Sequence, residues 1–146
     1  MDLWYTEKHG DNVGITMKIT QTLFSGKSKF QQLDIVETRE FSRMMLLDGL
    51  VMVTECDEFI YHDMIVHPAL FTHPRPKKAL VAGGSDGGSI REIMKHPEID
   101  GNNPRVKLHV DDGLAYIRDH QKEFDIILVD STDPIGPPRF SYPLLQ

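Results

Sequence analysis

Ala79-Leu80-Val81-Ala82-Gly83-Gly84-Ser85-Asp86-Gly87-Gly88-Ser89-Ile90-Arg91-Glu92 is the stretch whose reading decides the fold. A short apolar run stops at four glycines within six residues, and a helix-like pattern follows without a linker. Glycine permits backbone conformations that a Cβ forbids and lets a ligand approach the main chain. A helix opening after such a loop aims free N–H groups and a positive dipole end at whatever binds there. Strand, glycine loop and helix together read as a nucleotide or nucleoside cradle. Asp86 narrows the choice. A carboxylate in the loop repels phosphate, so a neutral or cationic ligand fits better than a dinucleotide.

Downstream, the helix is expected from about Ser89 to Lys95, and turn chemistry fills residues 98–104. Val106 to Val110 is predicted as a strand ending at Asp111-Asp112-Gly113, with Asp112 capping a helix through about His120. Phe124 to Val129 is a continuous apolar run, the pattern of a strand buried on both faces of a parallel sheet. It ends in Asp130-Ser131-Thr132-Asp133-Pro134-Ile135-Gly136-Pro137. The fold class that follows is α/β, a doubly wound parallel sheet of the Rossmann-like, methyltransferase type. Its ligands should lie in the crevice at the strand C-termini.

Upstream, the period is 2 rather than 3.6. Ile15, Met17 and Ile19 alternate with Thr16, Lys18 and Thr20, as in a half-buried strand. Ser25-Gly26-Lys27 reads as a turn. Phe30 to Thr38 reads as a strand with Leu33 and Ile35 on one face and Asp34 on the other. Met44–Leu47 and Leu50–Val53 flank Asp48-Gly49, the strongest short-range hairpin signal. Residues 1–53 are thus expected to form a small antiparallel β module, and residues 54–146 the α/β domain. Between them Asp57 should cap a helix carrying Phe59, Ile60 and Tyr61, and Pro68 should end or kink it.

Composition sets bounds on function. The 146 residues carry a net charge of −6 with no basic run, which argues against nucleic acid. No apolar stretch approaches the roughly 18 residues of a membrane span. The N-terminus has no signal-peptide pattern, and the single cysteine, Cys56, fits the reducing cytoplasm; it reads as a small core residue.

Three predicted strands end in acid: Asp86, then Asp111-Asp112, then Asp130 with Asp133. Five carboxylates at one edge exceed what capping needs, and they call for a cationic ligand. An ammonium about 4 Å from a carboxylate gains roughly 4 kcal/mol at an effective dielectric near 20. Bound metal is not expected, because magnesium sites usually serve phosphate substrates and no zinc-ligand spacing is present. Cys56 has no basic neighbour that would activate a thiol nucleophile.

Five motifs in order carry a family resemblance. They are Leu46-Leu47-Asp48-Gly49, Asp57-Glu58-Phe59-Ile60-Tyr61-His62, Gly83-Gly84-Ser85-Asp86-Gly87-Gly88, Val110-Asp111-Asp112-Gly113 and the run from Asp130 to Pro137. The chain resembles the spermidine synthase group of polyamine aminopropyltransferases. That resemblance implies aminopropyl transfer from decarboxylated S-adenosylmethionine to putrescine, giving spermidine and methylthioadenosine. The donor would be a co-substrate, with no metal and no permanently bound cofactor. Asp130 would be the proton acceptor and Asp133 a polyamine ligand. Tyr61 and His62 would line the amine channel, with His62 and Asp86 near the donor's aminopropyl end. Gln31 and Gly84 would contact the donor nucleoside, Asp112-Gly113 would hold its adenine side beside Pro137, and Glu98 is the candidate ribose ligand. The resemblance also implies a homodimer or homotetramer joined through the β module.

Three departures stand out. Ser85 occupies a position that is usually glycine. A strand and helix expected before Val106 are missing, and the residues after Pro137 do not follow the pattern. The chain therefore reads as a shortened form or as part of a longer one. A methyltransferase shares the glycine loop, but the acid pair Asp130 and Asp133 favours a polycationic acceptor. A catalytically silent nucleoside-binding or dimerising fragment is the other alternative.

Overall fold

The computed structural model describes residues 2–99 and 106–131. The β-rich part begins with β1 (Leu3–Lys8) and β2 (Gly14–Ile19), paired antiparallel with Tyr5 opposite Met17. A second antiparallel sheet runs in the order β3 (Gln21–Lys27), β4 (Gln32–Glu37), β5 (Arg43–Leu47) and β6 (Leu50–Thr54). Asp48 (φ 51°) and Gly49 (φ 82°) turn the β5–β6 hairpin, both in the left-handed region that a two-residue turn of this kind requires. Val36 faces Met44 across β4–β5, and with Leu46 they form the module's buried cluster. Tyr5, Met17 and Ile19 pack against it and join the first sheet to the second.

Ser25-Gly26-Lys27 is a strand end rather than the expected turn. The chain reverses slightly later, where the Ser28 hydroxyl accepts from the Phe30 and Gln31 N–H groups. That hydroxyl-capped loop supplies the turn, so Gly26 is free to stay in the ladder opposite Leu33. Cys56 is exposed in the turn after β6 and does not enter the core.

The helix α1 (Glu58–Thr72) starts one residue after Asp57, whose side chain accepts from Thr54 instead of capping the helix. Pro68 does not stop it. Pro68 and Met64 are both exposed, so the carbonyl deprived of its i+4 partner faces water. The opposite face buries Val66 and Leu70.

After a polar connector, β7 (Ala79–Gly83) leads through the glycine loop into α2 (Gly88–Ile93). The helix α3 (Gly113–Asp119) is capped as expected: Asp112 Oδ1 accepts from Leu114 N at 2.9 Å and Ala115 N at 3.1 Å. The last strand, β8 (Ile126–Asp130), pairs parallel to β7 with Gly83 opposite Asp130. Val66, Leu70, Ile93, Ile99, Ile126 and Leu128 form the core between α1, α2 and this sheet.

Two expectations about the sheet fail for one reason. Val106 to Val110 is not a strand, and Leu108 (82%) and Val110 (93%) are exposed. In doubly wound order the first strand is flanked by the second and the fourth, and the third pairs only beyond the second. Here β8 takes the fourth strand's place beside β7. Among the described residues no second strand is present, so residues 106–110 have no ladder to join there. The run 124–129 is correspondingly buried on one face only. Ile126 and Leu128 are in the core, while Ile127 (44%) and Val129 (61%) are open on a face that the described residues do not cover.

This one-sided burial makes a direct prediction. Leu128→Ala should cost about 2–5 kcal/mol of unfolding free energy. Val129→Ala, on the open face, should stay within about 1 kcal/mol of the parent. Urea titrations followed by circular dichroism separate the two.

Candidate active site

The β7–β8 pairing brings the glycine loop and Asp130 together. Gly84 N donates to Asp130 O at 2.7 Å. A Cβ on Gly83 (φ 95°) would lie 1.9 Å from that same carbonyl oxygen, so no side chain fits there. Ser89, fully buried in the first turn of α2, donates its hydroxyl to Asp130 Oδ2 at 2.6 Å. The Asp130 carboxylate is thereby held at the C-terminal end of its strand. Asp86 is fixed by the loop itself, accepting from Gly88 N at 2.8 Å.

His62 completes the group from α1. It is 1% exposed, and its ring lies so close to Gly88 that a Cβ there would meet His62 Cε1 at 2.2 Å. His62 Nε2 faces Asp86 Oδ2 at 3.4 Å and Asp130 Oδ2 at 4.0 Å, while Nδ1 lies 2.6 Å from Glu58 Oε2. These side chains line a cleft of about 650 Å³. Its other walls are the β5–β6 hairpin, through Met45, Leu47 and Val53, and α1, through Ile60 and Tyr61. A mostly apolar cleft that carries the carboxylates of Asp86 and Asp130, beside those of Asp57 and Glu58, suits an alkyl chain with a cationic end.

Of the expected site residues, the structure brings Tyr61, His62, Gly84, Asp86 and Asp130 to this one cleft. Asp112 serves as the α3 cap, and Gly113 approaches β7 with its Cβ direction 3.6 Å from Ala82 Cβ. Gln31 sits in the β3–β4 loop, and Glu98 is exposed on the turn past α2. None of these four lines the cleft. Asp133 and Pro137 lie outside the described residues. The expected cluster of five acids therefore resolves, among the described residues, into two carboxylates at the cleft, Asp86 and Asp130. Asp111 is spent on the Asp112 N–H, because the strand that would have carried both to the edge does not form. Ser85 lines the cleft without strain, since positive φ in the loop falls on Gly83, Gly84 and Gly87. The ligand atoms of His62, Asp86 and Asp130 lie within 4.8 Å of one another, a spacing that suits any compact cation.

Three supporting residues were not anticipated. Arg91 grips Glu58 with both guanidinium arms, Nη1–Oε1 at 2.9 Å and Nη2–Oε2 at 2.8 Å, and its Nε donates to Glu92 at 2.8 Å. Hydrogen bonds from Arg91 hold the Glu58 carboxyl below its ordinary value, with His62 adding to the effect against a smaller opposing pull from burial. Glu92 is buried between α1 and α2, which would raise its pKa, yet its contacts with Lys95 and Arg91 outweigh burial and lower it. The signals were present in the sequence: Glu58 is one helical turn before His62, and Ser89-x-Arg91-Glu92 opens the loop helix.

The chain matches known proteins along most of its length. Residues 3–55 match the family model of the spermidine synthase tetramerisation domain, and residues 58–101 and 97–143 match that of the spermine/spermidine synthase domain. The chain belongs to the spermine/spermidine synthase family. It is 49% identical over 162 residues to a polyamine aminopropyltransferase of Shouchella clausii (strain KSM-K16), covering 94% of this chain and 59% of that protein. It is 47% identical over 161 residues to the polyamine aminopropyltransferase of Bacillus subtilis (strain 168), covering 93% and 58%. A spermidine synthase crystallised in complex with the transition state analogue AdoDATO superposes with a TM-score of 0.86 at 38% identity, covering 92% of this chain and 55% of that one. The spermidine synthase of Thermotoga maritima gives 0.84 at 37%, covering 88% and 55%.

The chain thus spans 59% or less of the length of these relatives. The alignment also contains an internal gap. Since 94% of 146 residues is about 137, about 25 of the 162 residues matched in the first relative have no counterpart here. The two segments matching the synthase model overlap at residues 97–101. No helix among the described residues is long and apolar enough to cross a membrane.

The depressed carboxyls give this region an acid-side weakness. Glu58 and Glu92 release their protons more readily folded than at the ordinary value of 4.5, so their contribution is complete above that value. It is lost as pH falls through the lowered folded values. Urea unfolding at pH 7, 4.5 and 3.5 should show stability dropping across the acid interval, with a shallower drop in Glu58→Gln.

Proposed function

We propose that the cleft is the amine end of an aminopropyl-transfer site, taking decarboxylated S-adenosylmethionine as donor and putrescine as acceptor. The observation that carries this reading is the convergence of Asp86 and Asp130 on His62 in a mostly apolar cleft. Family membership and the names of the relatives support it. A polyamine needs carboxylates for its charges and apolar walls for its methylenes, and both are present.

The chemistry follows from amine basicity. An alkylamine of pKa about 10.4 is mostly protonated at pH 7, and freeing its lone pair costs roughly 4–5 kcal/mol. In this reading Asp130, oriented by Ser89, accepts that proton, and the neutral nitrogen then attacks. The carbon–nitrogen bond forms, the carbon–sulfur bond of the sulfonium breaks, and neutral methylthioadenosine leaves. The sulfonium is already activated, so the chain's main task is to align nitrogen, carbon and sulfur. Asp133 holds the distal ammonium, Tyr61 walls the amine channel, and Gly84, Gln31, Asp112, Gly113 and Pro137 are assigned to the nucleoside. The β module joins copies of the chain, consistent with exposed Trp4 and Ile15 on its first sheet. The acidic net charge and lone cysteine suit a cytoplasmic protein that binds no nucleic acid.

A second reading, binding without turnover, is favoured by the gap of about 25 residues and the open sheet face it leaves. Incubation with decarboxylated S-adenosylmethionine and putrescine, with methylthioadenosine measured by chromatography, separates the two. The first reading expects product, and a loss of about 100-fold or more in Asp130→Asn. Near-normal turnover in that variant overturns the role of Asp130. Amine binding with no product from the parent chain establishes the second reading.

A further inference from the structure

The His62–Glu58–Arg91 arrangement determines more than the position of a ring. Glu58 and His62 are four residues apart on α1 and so share a face. Arg91 reaches across from α2 and occupies both Glu58 oxygens. A carboxylate held in that fork offers only lone pairs, so at the 2.6 Å contact His62 Nδ1 is the donor. An imidazole with its proton on Nδ1 carries its remaining lone pair on Nε2. That nitrogen is buried and makes no hydrogen bond among the described residues. The groups it faces, Asp86 Oδ2 and Asp130 Oδ2, are acceptors as well. In the neutral ring, three acceptors then converge with no donor among them.

We propose that Glu58 and Arg91 are positioning residues that hold His62 in the Nδ1–H tautomer, leaving Nε2 as the third acceptor of a primary-ammonium receptor completed by Asp86 and Asp130. A primary ammonium presents three N–H groups in a tetrahedral fan, one for each acceptor. A tertiary ammonium presents one and leaves two acceptors buried and unpaired. The charged and titratable groups around the ring are Glu58 on α1, Asp86 in the loop, Arg91 on α2 and Asp130 on β8, and Ser89 already donates to Asp130. The only cation among them is turned toward Glu58, away from the receptor. The ligand class rests on the reading of the cleft given above, whereas the tautomer does not.

The test is proton–nitrogen correlation spectroscopy of the ¹⁵N-histidine-labelled chain, which reports which ring nitrogen of His62 carries the proton, combined with calorimetric titration of putrescine. The parent chain should show the Nδ1–H form. In Glu58→Gln, Arg91 claims the amide oxygen and turns the amide NH₂ toward Nδ1. The proton should then move to Nε2, and putrescine affinity should fall about tenfold. Arg91→Lys keeps the charge but loses the fork, and it should give mixed tautomers even if Glu58→Gln does not fold. An Nε2–H form in the parent, or an unchanged tautomer in both variants, overturns the proposal. If the tautomer behaves as expected but N,N,N′,N′-tetramethylputrescine binds as tightly as putrescine, the receptor's ligand class is overturned and the positioning role of Glu58 stands. Because neither readout requires turnover, failure here is distinct from failure of the transfer reaction.

Discussion

The parallel pairing of β7 with β8 is the contact on which the rest depends. Setting Gly83 opposite Asp130 places the glycine loop and the acid that ends β8 at one sheet end. The approach is too close for any side chain at Gly83, and the Gly84 N–H donates to the Asp130 carbonyl. With the backbones locked, Ser89 reaches the Asp130 carboxylate and Gly88 makes room for His62. The helix bringing His62 is held by its own apolar face, Val66 and Leu70, on the same two strands. The site is thus a consequence of one register, supported by one helix–helix ion-pair cluster.

Much of this was legible in the residues. Asp48-Gly49 specified its hairpin because only a few residue types tolerate two consecutive left-handed conformations. The glycine cluster and Asp112 marked loop and cap for equally local reasons. Legibility failed where the outcome depended on distant partners. Residues 106–110 carry a valid strand pattern, but a strand needs a neighbour, and the described residues offer none beside them. The run 124–129 looked buried on both faces because its composition suits such a place. Nothing local reports that one covering layer is lacking. Of the two outcomes that Pro68's chemistry allows, an end or a kink, the helix does not end there, and the exposure of Met64 makes the lost hydrogen bond tolerable. The role of Glu58 stayed hidden because a carboxylate in the first turn of a helix already has an ordinary explanation.

The gap near residues 97–101 divides the molecule's properties in two. The Asp86–His62–Asp130 end of the cleft draws on β5, β6, α1, the glycine loop and β8, all upstream or well downstream of the gap. Glu98, expected as a ribose ligand, lies on an exposed turn and does not line the cleft. Ile127, Val129, Leu108 and Val110 leave an apolar surface where an intact layer would lie.

The central claim is that Asp86, Asp130 and His62 receive the ammonium end of an aliphatic amine. A crystal structure of the chain soaked in putrescine tests it most directly. The account predicts a terminal nitrogen within about 3 Å of the Asp130 carboxylate, with the methylenes along the trough toward Tyr61 and Ile60. Putrescine bound elsewhere, or a cleft holding only water at saturating amine, would contradict it.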